Sequence, residues 1–233
     1  MPAFVSATLA YTATVGNATS TITVTPTVAN SAAAVRVNGV IVVSGSASQV
    51  LTLALGGNAI TVVVTAQDGV TVRTYTVTVT RQSAIESWRQ FYFGNATAFT
   101  GDLQDFDHDG VLNLFEFAFG TDPTVRGGGP LQYNGTLAGG GTIGATGQPI
   151  TVFEPTALGI DYRALFVRRV DHVAAGLTYT PQFSTDLQTW VPSAVVPTVL
   201  ADDGINQIVS VPYPPFLSGK KARFFRISVT IAP

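Results

Sequence analysis

The sequence predicts a mostly β protein, two antiparallel β-sandwich domains joined by a short helical segment, and three observations carry that expectation. Threonine and β-branched apolar residues alternate with period two over residues 1–82, and a β pattern returns from residue 149. Turn-forming groups (Gly16-Asn17, Asn38-Gly39, Gly56-Gly57-Asn58 and Asp68-Gly69) punctuate the first stretch at short intervals. Residues 83–124 break the pattern, with helical spacing of apolar side chains and seven of the chain's 14 acidic residues.

Composition narrows the classes of function. The 233 residues suit two small domains or one large all-β one. Hydrophobic residues make up 46% and charged residues 11%, against about 25% charged in ordinary globular chains. No apolar run is long enough to cross a bilayer, so the low charge does not announce a membrane span. A net charge of -2 argues against a nucleic-acid partner, which needs a basic face. Arg168-Arg169 and Lys220-Lys221 with Arg223 are the basic clusters, and they read as solvated strand and loop charges. The absence of cysteine excludes disulfides, thiol catalysis and thiolate metal sites. "MPAFVSATLAYT" has neither the basic start nor the apolar core of a signal peptide, so an exported protein is represented here by its mature part.

In the first region Ile22 and Val24 alternate with Thr21, Thr23 and Thr25; Ile60, Val62 and Val64 with Thr61 and Thr65; Tyr75, Val77 and Val79 with Thr74, Thr76, Thr78 and Thr80. Each run reads as a half-buried antiparallel strand. The stretches "YTATV", "TITVTPTV", "VRVNG", "LTLALGGNAITVVVTAQDG" and "TYTVTVTR", in that order, resemble the bacterial cadherin-like β-sandwich domain. That resemblance implies a non-catalytic, immunoglobulin- or cadherin-like module of exported proteins. Family members usually carry a further strand ahead of the position of Phe4, where this sequence begins. Either the sequence starts beyond that strand or a neighbouring molecule supplies it.

The middle region opens with "SAIESWRQFYFG", a short amphipathic helix. Ser83 and Glu86 form a capping box, Gly94 stops the helix, and Ile85, Trp88 and Phe91 or Tyr92 share one face. "DFDHDGVLNLFE" follows, with Asp105, Asp107 and Asp109 at positions 1, 3 and 5, Gly110 at 6 and Glu116 at 12. This is the complete pattern of an EF-hand-type Ca2+ loop. Alternate carboxylates on a tightly wound loop supply the hard oxygen ligands calcium prefers, and glycine permits the sharp turn. The expected ligands are Asp105, Asp107, Asp109, the Val111 carbonyl and Glu116, with a water held near Asn113 at position 9 and Leu112 anchoring the loop. His108 is expected to be an exposed loop residue, because a nitrogen donor suits calcium poorly. A helix follows, with Leu112, Phe115 and Phe119 on one face and Gly120 as its stop, whereas "NATAFTGDLQ" before the loop is a poor helix former. Loop plus exit helix resembles the thrombospondin type 3 and dockerin-like calcium repeats, which implies the metal; sensor EF-hands open a pair of helices and no pair is expected here, so the site reads as a structural staple.

Residues 125–148 are Gly-rich and read as a linker or as loops around edge strands such as "LQYNGTL". From 149 to 233, "ITVFEP", "YRALFVRRV", "LTYTPQFS", "NQIVSVPY" and "ARFFRISVTI" predict the second sandwich. Part of it resembles a C-terminal β module of large secreted bacterial proteins, which carries no functional implication.

No catalytic constellation is legible. The chain has two histidines, His108 and His172, no nucleophile-elbow motif, and glycine triplets without the strand, helix and lysine of a phosphate loop. His172 reads as a turn residue. Asn17, Asn95 and Asn134 fit glycosylation sequons, a pattern that also arises by chance. The expected function is therefore a non-catalytic, extracellular or cell-surface, calcium-stabilised structural or adhesive protein. Residues 1–80 contain only Arg36, Asp68 and Arg73 as charges, so their strand edges are unguarded and suited to strand addition between copies in a filament. The alternative is a carbohydrate-binding module of a larger secreted enzyme, with Trp190, Tyr179, Tyr213 and Phe216 as a stacking surface.

Overall fold

The computed structural model describes residues 3–157, 159–217 and 219–232. It is mostly β, with N-terminal and C-terminal sheet regions separated by two short helices. Two compact units divide at Trp88 and Arg89.

The first unit holds strands β1 (Ala10–Val15), β2 (Thr21–Ile22), β3 (Ala34–Val37), β4 (Val40–Val42), β5 (Leu51–Thr52), β6 (Gly56–Thr65) and β7 (Val72–Arg81). A five-stranded sheet in the order β1-β7-β6-β3-β4 faces a two-stranded sheet of β2 and β5. The alternation read from the sequence is the alternation of burial. Val35, Val37, Ile60, Val62, Tyr75 and Val79 fill the core, and the intervening threonines face outward or lie part-covered. One pairing departs from the expected antiparallel pattern: β1 runs parallel to β7, from Ala10 against Thr76 to Val15 against Arg81. Period-two patterning specifies faces and is blind to strand direction, so nothing in the alternation distinguishes the two.

Asn38 and Gly39 join β3 to β4 with φ of 45° and 82°, the two positive values that a tight hairpin turn requires. Asp68 organises the longer β6–β7 loop by accepting from the N–H groups of Val70 and Thr71 at 2.9 and 2.8 Å. Gly56-Gly57-Asn58, expected as a turn, instead begins β6, with Gly57 opposite Thr80 and Asn58 opposite Val79. The Asn58 side chain makes the turn from within the strand, accepting from the Ala54 N–H and donating to the Ala54 carbonyl, each at 2.9 Å.

Helix α1 (Ala84–Phe93) carries the expected capping box: the Ser83 N–H donates to Glu86 Oε2 at 2.7 Å and the Glu86 N–H to Ser83 Oγ at 3.3 Å. Of the two candidates for its apolar face, Tyr92 is part-buried and Phe91 is 80% exposed, as the i, i+3, i+7 spacing from Ile85 and Trp88 favours. The boundary between the units falls within this helix.

The second unit contains helix α2 (Asn113–Phe119) and strands β8 (Gln132–Thr136), β9 (Gly139–Ala145), β10 (Ile150–Thr156), β11 (Gly159–Arg169), β12 (Leu177–Ser184), β13 (Val191–Pro192), β14 (Thr198–Asp202), β15 (Asn206–Pro212) and β16 (Phe224–Ile231). Its named strands pair antiparallel, in sheets ordered β10-β11-β15-β14, β13-β12-β16 and β8-β9. Both faces of the four-stranded sheet are covered. On one, Leu165, Val167 and Ile208 pack with Leu131, Tyr133 and Ile143 of the Gly-rich stretch. On the other, the Phe166 ring stacks on Tyr179 of β12 at 6.0 Å, and the Tyr179 hydroxyl donates to the Ala118 carbonyl of α2 at 2.6 Å. Residues 125–148 are thus a packed hairpin layer, and glycine is what allows the closeness. A Cβ on Gly141 would stand 2.4 Å from the Tyr133 ring.

Candidate metal centre

The 105–116 loop winds around its own aspartates. Asp105 Oδ1 accepts from the His108 N–H at 2.7 Å and Asp105 Oδ2 from the Gly110 N–H at 2.9 Å. Asp107 Oδ1 accepts from the Asp109 N–H at 3.2 Å, and Asp109 Oδ1 from the Val111 N–H at 2.8 Å. His108 and Gly110 adopt φ of 61° and 95°, the left-handed conformations that close so tight a coil. The result brings one carboxylate oxygen from each of Asp105, Asp107 and Asp109 to within 4.8 Å of one another, an arrangement able to hold a metal ion.

Glu116 lies outside that three-carboxylate cluster but is coupled to it. It is only 1% exposed, and its Oε2 has no hydrogen-bond partner, nor has the buried Asp107 Oδ2. Burial first, and then the charges of Asp107, Asp109, Asp105 and Asp122, push its carboxyl from 4.5 up to about 8. Asp107 is also raised, by burial and by neighbouring Asp109. For Asp109, burial works upward but is outweighed. The N–H groups of Gly128, Val111 and Gly127 and the charge of Arg126 hold it below the ordinary value. Unpaired buried carboxylate oxygens beside like charges are costly, and a divalent cation is the chemical group that relieves them.

The side chain of Asn113, the residue at position 9 of the loop, is engaged by the chain itself. It is fully buried, its amide donating to the Phe99 and Gly101 carbonyls at 2.8 Å each and accepting from the Phe106 N–H at 3.2 Å. It stitches the incoming chain to the start of α2. That helix begins one residue past Leu112, which caps it in extended conformation, so its buried apolar side chains are Leu114, Phe117, Ala118 and Phe119, with Leu112 and Phe115 only part-buried. Gly120 ends the helix as expected, at φ 72°. Residues 95–104, directly before the loop, form no helix, in line with the sequence, and His108 is exposed with its ring edge-on to Phe99 at 4.8 Å.

Sequence reasoning missed the outer support. Arg126 donates to the Asp107 carbonyl, and the Gly127 and Gly128 N–H groups donate to Asp109 Oδ2 at 3.2 and 3.1 Å. Arg89 pairs with Asp102 ahead of the loop. These contacts span 13 to 19 positions and leave no local signature, beyond the presence of one arginine before a glycine triplet.

The other candidates are separated by the structure. His172 lies in a turn with Nδ1 2.9 Å from the Arg169 carbonyl oxygen. Trp190, Tyr179, Tyr213 and Phe216 do not form one platform. Tyr179 is interior, packed on Phe166 and Phe119, and burial pushes its hydroxyl up to about 12. Trp190 is covered by the Arg226 guanidinium at 4.4 Å, and Phe216 is 61% exposed. Aromatic residues on strands pack inward as readily as they present a binding face, and sequence alone does not distinguish the two.

Residues 1–82 match a family described as a cadherin-like beta sandwich domain. No curated protein and no solved structure matches the chain. No helix among the described residues is long and apolar enough to cross a membrane.

Proposed function

We propose that the chain is a non-catalytic, exported adhesive or structural module whose first unit is completed by a strand from a second copy, and whose second unit is stapled by calcium. The observation that carries self-assembly is an apolar slot of about 340 Å³ in the first unit, lined by Phe4, Tyr11, Val24, Val62, Tyr75 and Val77. It arises because the five-stranded sheet is wider than the two-stranded sheet opposite. Beside it the chain continues past β2 with the side-chain alternation of a strand. The Val24 and Val28 N–H groups donate to Ser48 and Ser44 Oγ, each at 3.0 Å, and the Val24 and Pro26 carbonyls accept from Ser48 and Gly45 N–H at 2.8 Å. The backbone groups of Thr23, Thr25 and Thr27 have no hydrogen-bond partner among the described residues. A strand laid along them gains main-chain bonds and covers apolar surface. The uncharged Thr/Val strands of this chain have the matching chemistry.

Electron microscopy and light scattering test this on the purified chain. The wild type is expected to form filaments, and Thr25→Pro, which removes an edge N–H, to remain dispersed with an unchanged melting curve. A wild type that stays monomeric at high concentration with calcium overturns the proposal, as does a Thr25→Pro variant that assembles equally well.

Calcium is the cation that the oxygen donors of Asp105, Asp107, Asp109, the Val111 carbonyl and Glu116 suit. With calcium at a hundredfold excess over Kd, binding to the folded state alone adds about 2.7 kcal/mol. Chelation should therefore lower the melting temperature, and Asp105→Ala should reproduce most of that loss. Calcium-independent melting, with no metal by mass spectrometry, sinks the staple.

A further inference from the structure

A groove of about 860 Å³ in the second unit combines aromatic and cationic side chains. One wall is Ile160, Asp161 and Tyr162 at the start of β11. The other is formed by Tyr213, Phe216, Lys220, Lys221 and Arg223, with Pro214 and Pro215 limiting backbone freedom and Leu217 and Lys220 exchanging backbone hydrogen bonds at 2.7 and 3.0 Å. Tyr213 is fixed between the walls: its N–H donates to the Tyr162 carbonyl at 2.9 Å, its hydroxyl lies 2.8 Å from the Thr151 hydroxyl, and its ring packs on Phe183 at 4.8 Å. Tyr162 and Phe216 remain 47% and 61% exposed, so two aromatic side chains face solvent from a rigid frame.

The charge in this groove is one-sided. Lys220, Lys221 and Arg223 line it, three of the chain's 12 cations in a protein of net charge -2. Its one acid, Asp161, is paired with Arg163 at 3.0 Å. The ammonium of Lys221 and the guanidinium of Arg223 have no ion-pair partner among the described residues. Lys220 feels Asp186, whose carboxyl it helps to hold low.

We propose that this groove binds an acidic glycan, a chain of carboxylated sugar rings whose apolar faces stack on Tyr162 and Phe216 and whose carboxylates meet Lys220, Lys221 and Arg223. Exposed aromatic surface rewards a flat ring with a C–H face, and unpaired cations reward carboxylates, so the two together select a charged sugar over a neutral one. An acidic polypeptide fits less well. Strand addition needs a free backbone edge, and Tyr162 is already paired with Phe153 on one side and with Tyr213 on the other. Recognition here falls to side chains alone. The site is independent of the calcium loop and of strand addition, so either can fail without the other.

Titration calorimetry of the full chain tests the proposal, with three probes: a short galacturonate oligomer, its methyl ester, and an oligoglutamate of similar charge. The free acid should bind, and added salt should weaken it. The methyl ester should bind at least about tenfold more weakly, and Lys221→Gln with Arg223→Gln should reproduce that loss for the free acid. Phe216→Ala, at an exposed position, should also weaken the free acid by about tenfold while leaving the melting temperature unchanged. No binding of the free acid, equal binding of the ester, or oligoglutamate binding that is as tight and indifferent to Phe216→Ala each overturns the assignment.

Discussion

The two units bury their central strands in different ways. In the first, β6 and β7 carry a core face and a threonine face, so burial alternates along each strand. In the second, Ala164, Leu165, Phe166 and Val167 of β11 are all fully buried, because α2 and β12 cover one face and the β8–β9 hairpin the other. A sheet covered once leaves an edge and a slot open, whereas a sheet covered twice is closed except at its rim. Period-two alternation and continuous apolar runs are the sequence marks of these two arrangements.

That contrast can be broken from its strongest point downward. Phe166→Ala removes a ring enclosed on both sides and should cost about 3–5 kcal/mol, read as a lower denaturant midpoint of the second unit. Gly141→Val forces a side chain into the Tyr133 ring and should cost about 1–3 kcal/mol by the same measurement. A smaller change says that the hairpin layer yields and that the second sheet is effectively covered once. In the first unit, Phe4→Ala strips a ring that lies 5.4 Å from Tyr75 and 5.9 Å from Tyr11 but is 67% exposed. It should cost only about 0.5–1.5 kcal/mol.

A fourth expectation concerns the loop and turns on sign. Glu116 has its folded-state pKa raised from 4.5 to about 8, so between those values the chelated folded chain holds a proton that the unfolded chain has released. The contribution of Glu116 to the stability of the chelated protein should therefore be fullest below 4.5 and fall as pH rises towards 8, so the wild type should lose stability relative to Glu116→Gln across that range. Saturating calcium should reverse it, because the metal takes the deprotonated carboxylate. Melting curves across that range, with and without chelator, check both signs.

Much of the candidate centre is legible because its three aspartates are local. Five positions of one twelve-residue pattern fix a coil, and Asp105, Asp107, Asp109 and Gly110 stand where that pattern requires. The bonds that Asn113 makes leave no mark in the pattern, because its partners, the carbonyls of Phe99 and Gly101, lie 14 and 12 residues upstream in a segment without regular structure. The Gly-rich stretch leaves a linker and loops around edge strands equally open, because glycine has no side chain to reveal periodicity, and β8 within "LQYNGTL" bears out the strand. Its role is carried by Leu131, Tyr133 and Ile143 and by a close approach that only the folded pairing creates.

By itself the sequence determined what depends on neighbours along the chain: strand faces from alternation, the Asn38-Gly39 hairpin from its positive-φ residues, the α1 capping box, and the coil of carboxylates. The tertiary structure decided what depends on distant partners. It set the parallel course of β1 against β7, the burial of Glu116 without a partner, the removal of Tyr179 into the core, and the meeting of Tyr162 with Phe216 and the cations of residues 220–223. The physical reason is range. Backbone dihedrals and side-chain period are set within a few residues, whereas strand direction, desolvation and the gathering of a binding surface come into being only when distant segments exclude water together.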